Sequence, residues 1–274
     1  MPGQPSPEAL AIRLRKDLDV RDQEFDLLEL VRAMGFEVQH APIPGGAEGL
    51  STRIDGRDLI LINPEGRSDR RQRFTLAHEL GHSLLGHASS CRPHEVHGHT
   101  EDPEEAAANQ FAATLLMPPR LFRNDMRGLH PWVDELSSLA DRYGVSRTAA
   151  ALRFARFTED ACAVIGVTPE RSWLFKSSSV GRWWIRMPPP AGSLIHDHLA
   201  SPSAVTVAEV DAAVWLENFR RRTACRIREE IAPAGPASWL VLLSEIPDAD
   251  DDPDVEEREA DEDLDRRRKS FRMH

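Results

Sequence analysis

The chain has 274 residues, of which 41% are hydrophobic and 29% charged, a composition typical of a soluble globular protein. No apolar run approaches the roughly 20 residues that a membrane-spanning helix needs, and no secretory signal is visible at the N-terminus. The cysteines are odd in number and form no CxxC pair, which argues against a disulfide framework. We therefore predict a cytoplasmic protein without membrane contact.

The formal net charge of −11 is concentrated near the C-terminus. Asp and Glu crowd residues 245–265, where Arg258 is the only basic residue, and the rest of the chain is close to balanced. The overall acidity therefore neither excludes nor favours a nucleic-acid partner. Residues 247–274 are acidic and then basic with few hydrophobic side chains, and this tail is predicted to be disordered.

The N-terminal part of the chain predicts two helices followed by a small antiparallel sheet. Residues 8–35 carry apolar side chains at helical spacing in two segments. A strand is predicted to begin at Phe36, and residues 50–63 predict a hairpin with a tight turn at Asp55 and Gly56. Its second strand, from Asp58 onwards, could bind an extended substrate by adding a strand to the sheet.

Residues 74–87, FTLAHELGHSLLGH, predict a helix that contains an HExxH motif. Residues four apart in an α-helix lie about one turn apart on the same face, so His78 and His82 can present two imidazoles to one metal ion. Glu79 follows His78 and can hold a water beside that ion. This is the zinc-protease arrangement. The alternative is two histidines on an ordinary amphipathic helix, and we favour the metal site.

A second helix and a helix-turn-helix segment are predicted downstream. Asp102 is expected to cap an Ala-rich helix that begins at Pro103 and ends before Pro118. Residues 134–157 predict a helix-turn-helix that is broken at Gly144.

The helix-turn-helix segment has two interpretations. As a DNA reader it would use the basic residues of its second helix, which are Arg147, Arg153 and Arg156. As a structural part of the domain it needs only its apolar pattern, which is present. We favour the structural role, with direct DNA binding as the weaker alternative.

Residues 161–246 predict a second, smaller α+β domain without a recognisable motif. Short strands are expected in AVIGV, SWLF and RWWIRM, a helix over 210–230 and a buried strand over 238–243. The predicted organisation is a metallopeptidase domain over 1–160, this smaller domain over 161–246 and the tail over 247–274.

The third metal ligand is left open by the spacing alone. A catalytic zinc takes three protein ligands and one water. The positions at which a metzincin has a further glycine and histidine hold Leu85 and Ala88, which excludes that subclass. A carboxylate at the start of the Ala-rich helix, Glu104 or Glu105, can complete the set. The other source is a histidine on the intervening loop: His87, His94, His97 or His99.

Glu105 has both a metal-binding and a structural interpretation. Asn109 lies one turn further on and could orient the Glu105 carboxylate by a hydrogen bond. However, Asp102 and Glu105 also fit a capping box, in which the glutamate only satisfies the helix start. The loop histidines are more simply solvated residues, although they could bind a second metal.

Two segments, FTLAHELGHSLLGH and EEAAANQFAATLLMP, together resemble the ImmA/IrrE family of metallopeptidases, the M78 peptidases. Members of that family pair HELGH with a downstream E-x-x-A-N-x-F-A-x-x-L-L-M-P signature, and the resemblance covers roughly residues 8–157. It implies an α+β fold with a zincin-like metallopeptidase domain. It also implies that Glu105 is the third metal ligand.

The resemblance implies a metal-dependent endopeptidase. His78, His82 and Glu105 would hold zinc, with manganese as an alternative, and Glu79 would act as general base on a metal-activated water. The substrate implied is a helix-turn-helix transcriptional repressor, whose cleavage relieves repression in stress response or mobile-element control. The alternative is a DNA-binding or partner-binding regulator with a non-catalytic metal site. Glu79 favours the enzyme, because a purely structural zinc site has no use for it.

Overall fold

The computed structural model describes the chain in four segments, residues 6–21, 25–87, 102–219 and 225–247. Most of the predicted tail and the loop histidines His94, His97 and His99 lie outside these segments. Helices and strands are both well represented, which confirms the mixed α+β class. Within the described segments, no helix has the length and apolar character that crossing a bilayer requires.

The chain divides into two compact units. Unit 1 comprises Met1–Gly128 and Ser137–Arg153, and unit 2 comprises Leu129–Leu136 and Phe154–His274. Two helices contribute residues to both: α6 (Val133–Tyr143) and α7 (Arg147–Phe157). The division into functional domains at residues 160 and 246 stays a prediction.

Unit 1 begins with the two predicted helices. These are α1 (Pro7–Asp17) and α2 (Leu27–Ala33), and they are followed by α3 (Asp69–Leu85), α4 (Pro103–Leu116) and α5 (Pro119–Asp125). Its strands are β1 (Glu37–His40), β2 (Gly49–Ile54) and β3 (Arg57–Ile62). Side-chain caps fix the helix starts, because Ser6 accepts a hydrogen bond from Ala9 N and Asp26 accepts one from Glu29 N.

The sheet of unit 1 has the strand order β1-β3-β2. β2 and β3 form the predicted antiparallel hairpin, whereas β1 runs parallel to β3. The prediction of an antiparallel sheet is therefore wrong, and the sheet is mixed. The reason is the segment between β1 and β2, which includes a 3₁₀ turn at Pro44–Gly46. It carries the chain across to the far edge, so that β3 becomes the middle strand.

The middle position of β3 also contradicts the predicted docking of substrate on this strand. β1 and β2 both pair with β3, so its backbone groups on both sides are engaged within the sheet. Among the described strands, β1 and β2 each pair with β3 alone and lie at the two edges of this sheet. An added strand would have to pair with β1 or β2, of which β2 begins beside α3.

The HExxH helix, α3, packs against α4 on one side and against β2 and β3 on another. The Ser68 side chain caps its start by accepting a hydrogen bond from Arg71 N, so the helix begins earlier than predicted. It ends at Gly86, whose φ of 74° is the left-handed conformation that glycine adopts easily. The apolar residues Leu76, Ala77 and Leu80 are buried and fix its orientation in the core.

Unit 2 contains a five-stranded antiparallel sheet with the order β5-β4-β8-β7-β6. Its strands are β4 (Ala163–Val167), β5 (Ser172–Lys176), β6 (Val207–Asp211), β7 (Arg226–Gly235) and β8 (Ser238–Ser244). Its helices include α8 (Leu194–Ala200) and α9 (Ala212–Trp215). The predicted strands in AVIGV, in SWLF and over 238–243 are confirmed.

Two predictions in unit 2 are wrong. The segment RWWIRM forms only an isolated bridge, between Ile185 and Leu216, rather than a strand. The predicted helix over 210–230 is replaced by the end of β6, the short α9 and the start of β7. β7 pairs with a strand on each side and buries Ile227 and Ile231. This non-local pairing outweighs the helix propensity of the surrounding Ala, Arg and Glu residues.

Candidate metal centre

α3 and α4 bring His78, His82 and Glu105 together. His78 Nε2 lies 3.1 Å from Glu105 Oε2, His82 Nε2 lies 3.2 Å from Glu105 Oε1, and the two Nε2 atoms are 3.0 Å apart. All three side chains are buried. Within the part of the chain that the structure describes, these three residues form the group that could hold a metal ion.

The residues fit a divalent ion by chemistry and by spacing. Zinc bonds of 2.0–2.2 Å in tetrahedral geometry separate neighbouring ligand atoms by roughly 3.3 Å, close to the separations found. Two imidazole nitrogens and one carboxylate are a donor set of catalytic zinc sites, whereas structural sites usually use four protein ligands. The arrangement therefore suits a reactive metal better than a closed structural one.

Asn109 and His87 contact the Nδ1 atoms of the two histidines. Asn109 Oδ1 lies 3.0 Å from His78 Nδ1. An amide oxygen can only accept a hydrogen bond, so His78 Nδ1 carries the proton and the Nε2 lone pair faces the centre. His82 Nδ1 lies 3.1 Å from His87 Nδ1, a contact in which either nitrogen can be the donor. Asn109 was expected to orient Glu105, and the contact observed joins it to His78.

The charges within the cluster depend on one another. Burial by itself would raise the pKa of Glu105, but hydrogen bonds with His78 and His82 outweigh burial and hold that pKa well below its ordinary value. Burial lowers the pKa of His82, but the hydrogen bond and charge of Glu105, with a smaller effect of Glu79, raise it overall. Burial and the charge of His82 lower the pKa of His87. Glu105 is thus a carboxylate at neutral pH, the form that binds metals.

The geometry separates the two glutamates that the spacing left open. Glu104 is exposed at the first turn of α4, where its backbone N donates to the capping oxygen of Asp102 over 2.8 Å. Glu105 is 5% exposed, and its carboxylate contacts both histidines rather than solvent. The structure therefore favours Glu105 over Glu104 as the third ligand, which stays a prediction.

Two residues near the site have contacts that the sequence does not predict. His87 was grouped with the solvated loop histidines, although it lies five residues after His82 and contacts its ring. Gly49, at the start of β2, lies directly against Glu79, which is itself fully buried. The signal for His87 was present in its spacing after HExxH. No local signal could have revealed Gly49, because it reaches α3 only through the fold.

The helix-turn-helix segment is confirmed as two helices, α6 and α7. Arg153 of α7 is buried and donates two hydrogen bonds to the Met117 carbonyl, from Nε over 3.1 Å and from Nη2 over 2.7 Å. Arg147 Nε donates to Ser137 Oγ over 2.8 Å. Two of the three arginines that a DNA reader would use are thus engaged within unit 1, which favours the structural role.

An α+β domain in which the two histidines of an HExxH helix meet a glutamate of the next helix has the ligand arrangement of the metallopeptidase class. Residues 31–155 match the family model of the M78 peptidases, described as the IrrE N-terminal-like domain. This segment, which is less than half of the chain, is similar to the ImmA/IrrE family.

Two relatives are both named radiation response metalloprotease IrrE. That of Deinococcus deserti is 39% identical over 104 residues, which is 36% of this chain and 37% of the relative. That of Deinococcus radiodurans is 37% identical over 98 residues, which is 34% of this chain and 29% of the relative. The match thus spans about a third of the length of these relatives.

The fold is also similar to that of a Mycobacterium tuberculosis transcriptional regulator of known structure. The TM-score is 0.54 at 14% sequence identity, and the similarity covers 86% of each chain. At this identity the likeness concerns the fold alone. It extends well beyond residues 31–155 and so includes the chain that forms unit 2.

Proposed function

We propose that the protein is a metal-dependent endopeptidase. The observation that carries this proposal is the convergence of His78, His82 and Glu105 on one point, with Glu79 on the same helix as the histidines. The match of residues 31–155 to a peptidase family supports it. A structural metal site would have no chemical need for a buried glutamate beside the first histidine.

The residues divide the chemistry among them. When bound, a divalent ion would lower the pKa of a water and polarise the scissile carbonyl. His78, His82 and Glu105 would hold it, and Asn109 would keep the His78 ring in the required tautomer. Glu79 would accept the proton of the attacking water and deliver it to the leaving amine nitrogen.

Zinc is the ion that we propose for this site. A pair of histidines with one carboxylate is a catalytic zinc set, and the ligand spacing is close to tetrahedral. Manganese is the alternative, because histidine and carboxylate ligands do not select strictly between the two metals.

We propose further that the substrate is a helix-turn-helix transcriptional repressor in the cytoplasm, cleaved during stress response or in mobile-element control. The family resemblance and the names of the two Deinococcus relatives, which refer to radiation response, support this proposal. The edge position of β2 offers a place for an extended substrate segment, because β2 begins beside Glu79.

Cleavage of the repressor encoded nearest to this gene tests the proposal. Wild type and Glu79→Gln are compared, with the metal content of both determined. Cleavage by wild type alone at equal metal loading would establish the peptidase and its base. Equal loss of metal and activity in Glu79→Gln would make Glu79 structural. If fully metallated wild type leaves the repressor intact but shifts duplex DNA in a salt-dependent manner, the protein is a regulator instead.

A further inference from the structure

One face of α3 lies against the start of β2. Arg71, Thr75 and Glu79 follow one another at intervals of four residues, so they share a face of the helix. This face differs from the one that carries His78 and His82 towards α4. Its neighbours on β2 are Glu48, immediately before the strand, and Gly49, its first residue.

Gly49 leaves room for the side chains of this face. A Cβ atom at Gly49 would lie 2.6 Å from Thr75 Cγ2 and 2.7 Å from both Cγ and Oε1 of Glu79. Such separations are shorter than carbon atoms tolerate, so a side chain here would have to displace Glu79 or Thr75. The φ angle of Gly49 is outside the left-handed region. What matters at this position is therefore the absence of a side chain and not backbone freedom.

Glu48 fastens this part of β2 to α3. Its Oε2 atom accepts a hydrogen bond from Arg71 Nε over 2.5 Å and lies 3.4 Å from Thr75 Oγ1, whose hydroxyl donates to the Arg71 carbonyl over 3.1 Å. The side chain is only 7% exposed, so these contacts are little screened by solvent. The charge-assisted contacts therefore hold the strand at a fixed distance from the helix.

The sheet fixes the same point from the other side. The Glu48 carbonyl accepts a hydrogen bond from Asn63 N over 2.9 Å, and the Asn63 side chain donates to the Ala47 carbonyl over 3.1 Å. Gly49 itself pairs with Ile62 of β3. The backbone at Gly49 thus has little freedom to withdraw from Glu79.

We propose that Gly49 is a positioning residue for Glu79. The Glu79 side chain packs against the backbone of Gly49, which is held in place by the contacts of Glu48. This packing keeps the Glu79 carboxylate beside the candidate metal ligands. This inference rests on the proposed function in so far as Glu79 is the general base. The packing relationship itself does not depend on catalysis.

The first experiment measures kinetics and metal content of Gly49→Ala. Because displacing a catalytic group by about 1 Å can cost about 100-fold in rate, kcat should fall by about 10- to 100-fold. KM should stay within about twofold and metal content should be unchanged, because His78 and His82 lie on another face of α3 and Glu105 lies on α4. A wild-type kcat in Gly49→Ala would overturn the proposal.

Adding Thr75→Ser to Gly49→Ala distinguishes a loss of packing from a displacement of Glu79. In Gly49→Ala/Thr75→Ser the clash with Thr75 Cγ2 is removed while the hydroxyl group remains. Stability should recover relative to Gly49→Ala, whereas kcat should stay low because the contact with Glu79 persists. Recovery of kcat together with stability would show that Gly49 acts only through general packing.

A thermal double-mutant cycle tests the contact without any activity assay. Gly49→Ala should lower Tm in the wild-type background, and in a Glu79→Ala background the loss should be smaller by about half or more. If Gly49→Ala alone does not fold, recovery of folding in the double variant supports the proposal. Equal losses in both backgrounds would contradict it, even if the protein proves not to be a peptidase.

Gly235→Ala is the matched control. Gly235 also belongs to a strand, β7, but it is exposed, and an added Cβ would approach only the Ser238 hydroxyl, at 2.9 Å. It lies in unit 2, whereas Gly49 lies in unit 1. Its substitution should leave kcat and metal content at wild-type values. If Gly235→Ala lowers kcat as much as Gly49→Ala does, the effect is not specific to the contact with Glu79.

Discussion

The Oδ1 atom of Asn109 lies 3.0 Å from Nδ1 of His78 and so joins α4 to the first histidine of the HExxH motif. Glu105 and Asn109 are one helical turn apart, so a single face of α4 supplies both the predicted third ligand and the group that orients a ligand. The position of α4 against α3 therefore places both Glu105 and Asn109 in contact with His78.

We expect Asn109→Leu to weaken metal binding by about 10- to 100-fold, because the His78 ring loses the acceptor that fixes its tautomer and orientation. Asn109→Asp should retain most of the affinity, since a carboxylate oxygen accepts the same hydrogen bond. Competition with a chromogenic chelator measures both. Equal affinities of the Leu and Asp variants would show that the contact does not orient His78.

We expect His87→Ala to weaken metal binding by about 10-fold or more, because His82 loses the partner of its Nδ1 atom at 3.1 Å. His130→Ala is the control, since His130 is an exposed histidine of unit 2. Zinc titration of both variants is the measurement. An unchanged metal affinity in His87→Ala would show that His87 does not support metal binding by His82.

In the metal-free protein, Glu105 should stabilise the folded state to an extent that depends on pH. The pKa of Glu105 is lowered from its ordinary value of 4.5, so its contribution is present above 4.5 and is lost as pH falls towards the folded-state pKa. The pKa of His82 is raised from 6.5, so its contribution is present below 6.5 and is lost as pH rises through the folded-state pKa. The stabilising contributions of Glu105 and His82 are therefore both present between pH 4.5 and 6.5.

The difference in Tm between metal-free wild type and Glu105→Gln should therefore be largest between pH 4.5 and 6.5 and should shrink on either side. Thermal unfolding in the presence of a chelator over a pH series measures it. Glu104→Gln is the control, because that side chain is exposed and should give no such maximum. A pH-independent difference for Glu105→Gln would contradict the coupling.

Prediction from the sequence succeeded where the pattern is local. The period of four between His78 and His82 places them on one helical face, and the cap at Asp102 marks the start of α4. It failed where pairing is distant along the chain. Nothing in the residues of β1 indicates that it lies beside β3, and the helix-forming residues around Ile227 became a strand between two others.

The contrast between local and distant contacts also explains which site residues the sequence predicts. Glu105 was selected by resemblance rather than by geometry, because helical phase alone does not separate it from Glu104. The sequence could not show that Gly49 approaches Glu79, since 30 positions and the whole β2–β3 hairpin separate them along the chain. Contacts of this kind are fixed by the tertiary fold.

Arg153 gives a prediction about stability and about the helix-turn-helix segment together. Its guanidinium is 5% exposed and donates two hydrogen bonds to the Met117 carbonyl, at the C-terminal end of α4. Arg153→Ala removes these bonds and leaves a buried carbonyl to be satisfied otherwise. We expect the free energy of unfolding of the protein to fall by about 1.5–3 kcal/mol.

Arg156→Ala is the matched comparison on the same helix, because Arg156 is exposed, and it should change the unfolding free energy by less than about 0.5 kcal/mol. Urea denaturation measures the unfolding free energy of both variants.

The same two variants also test the DNA interpretation, since a DNA-reading helix would lose duplex affinity in Arg156→Ala at unchanged stability. Equal stability of the two variants would show that the bonds to Met117 contribute little, and the structural role of α7 would then lose its main support.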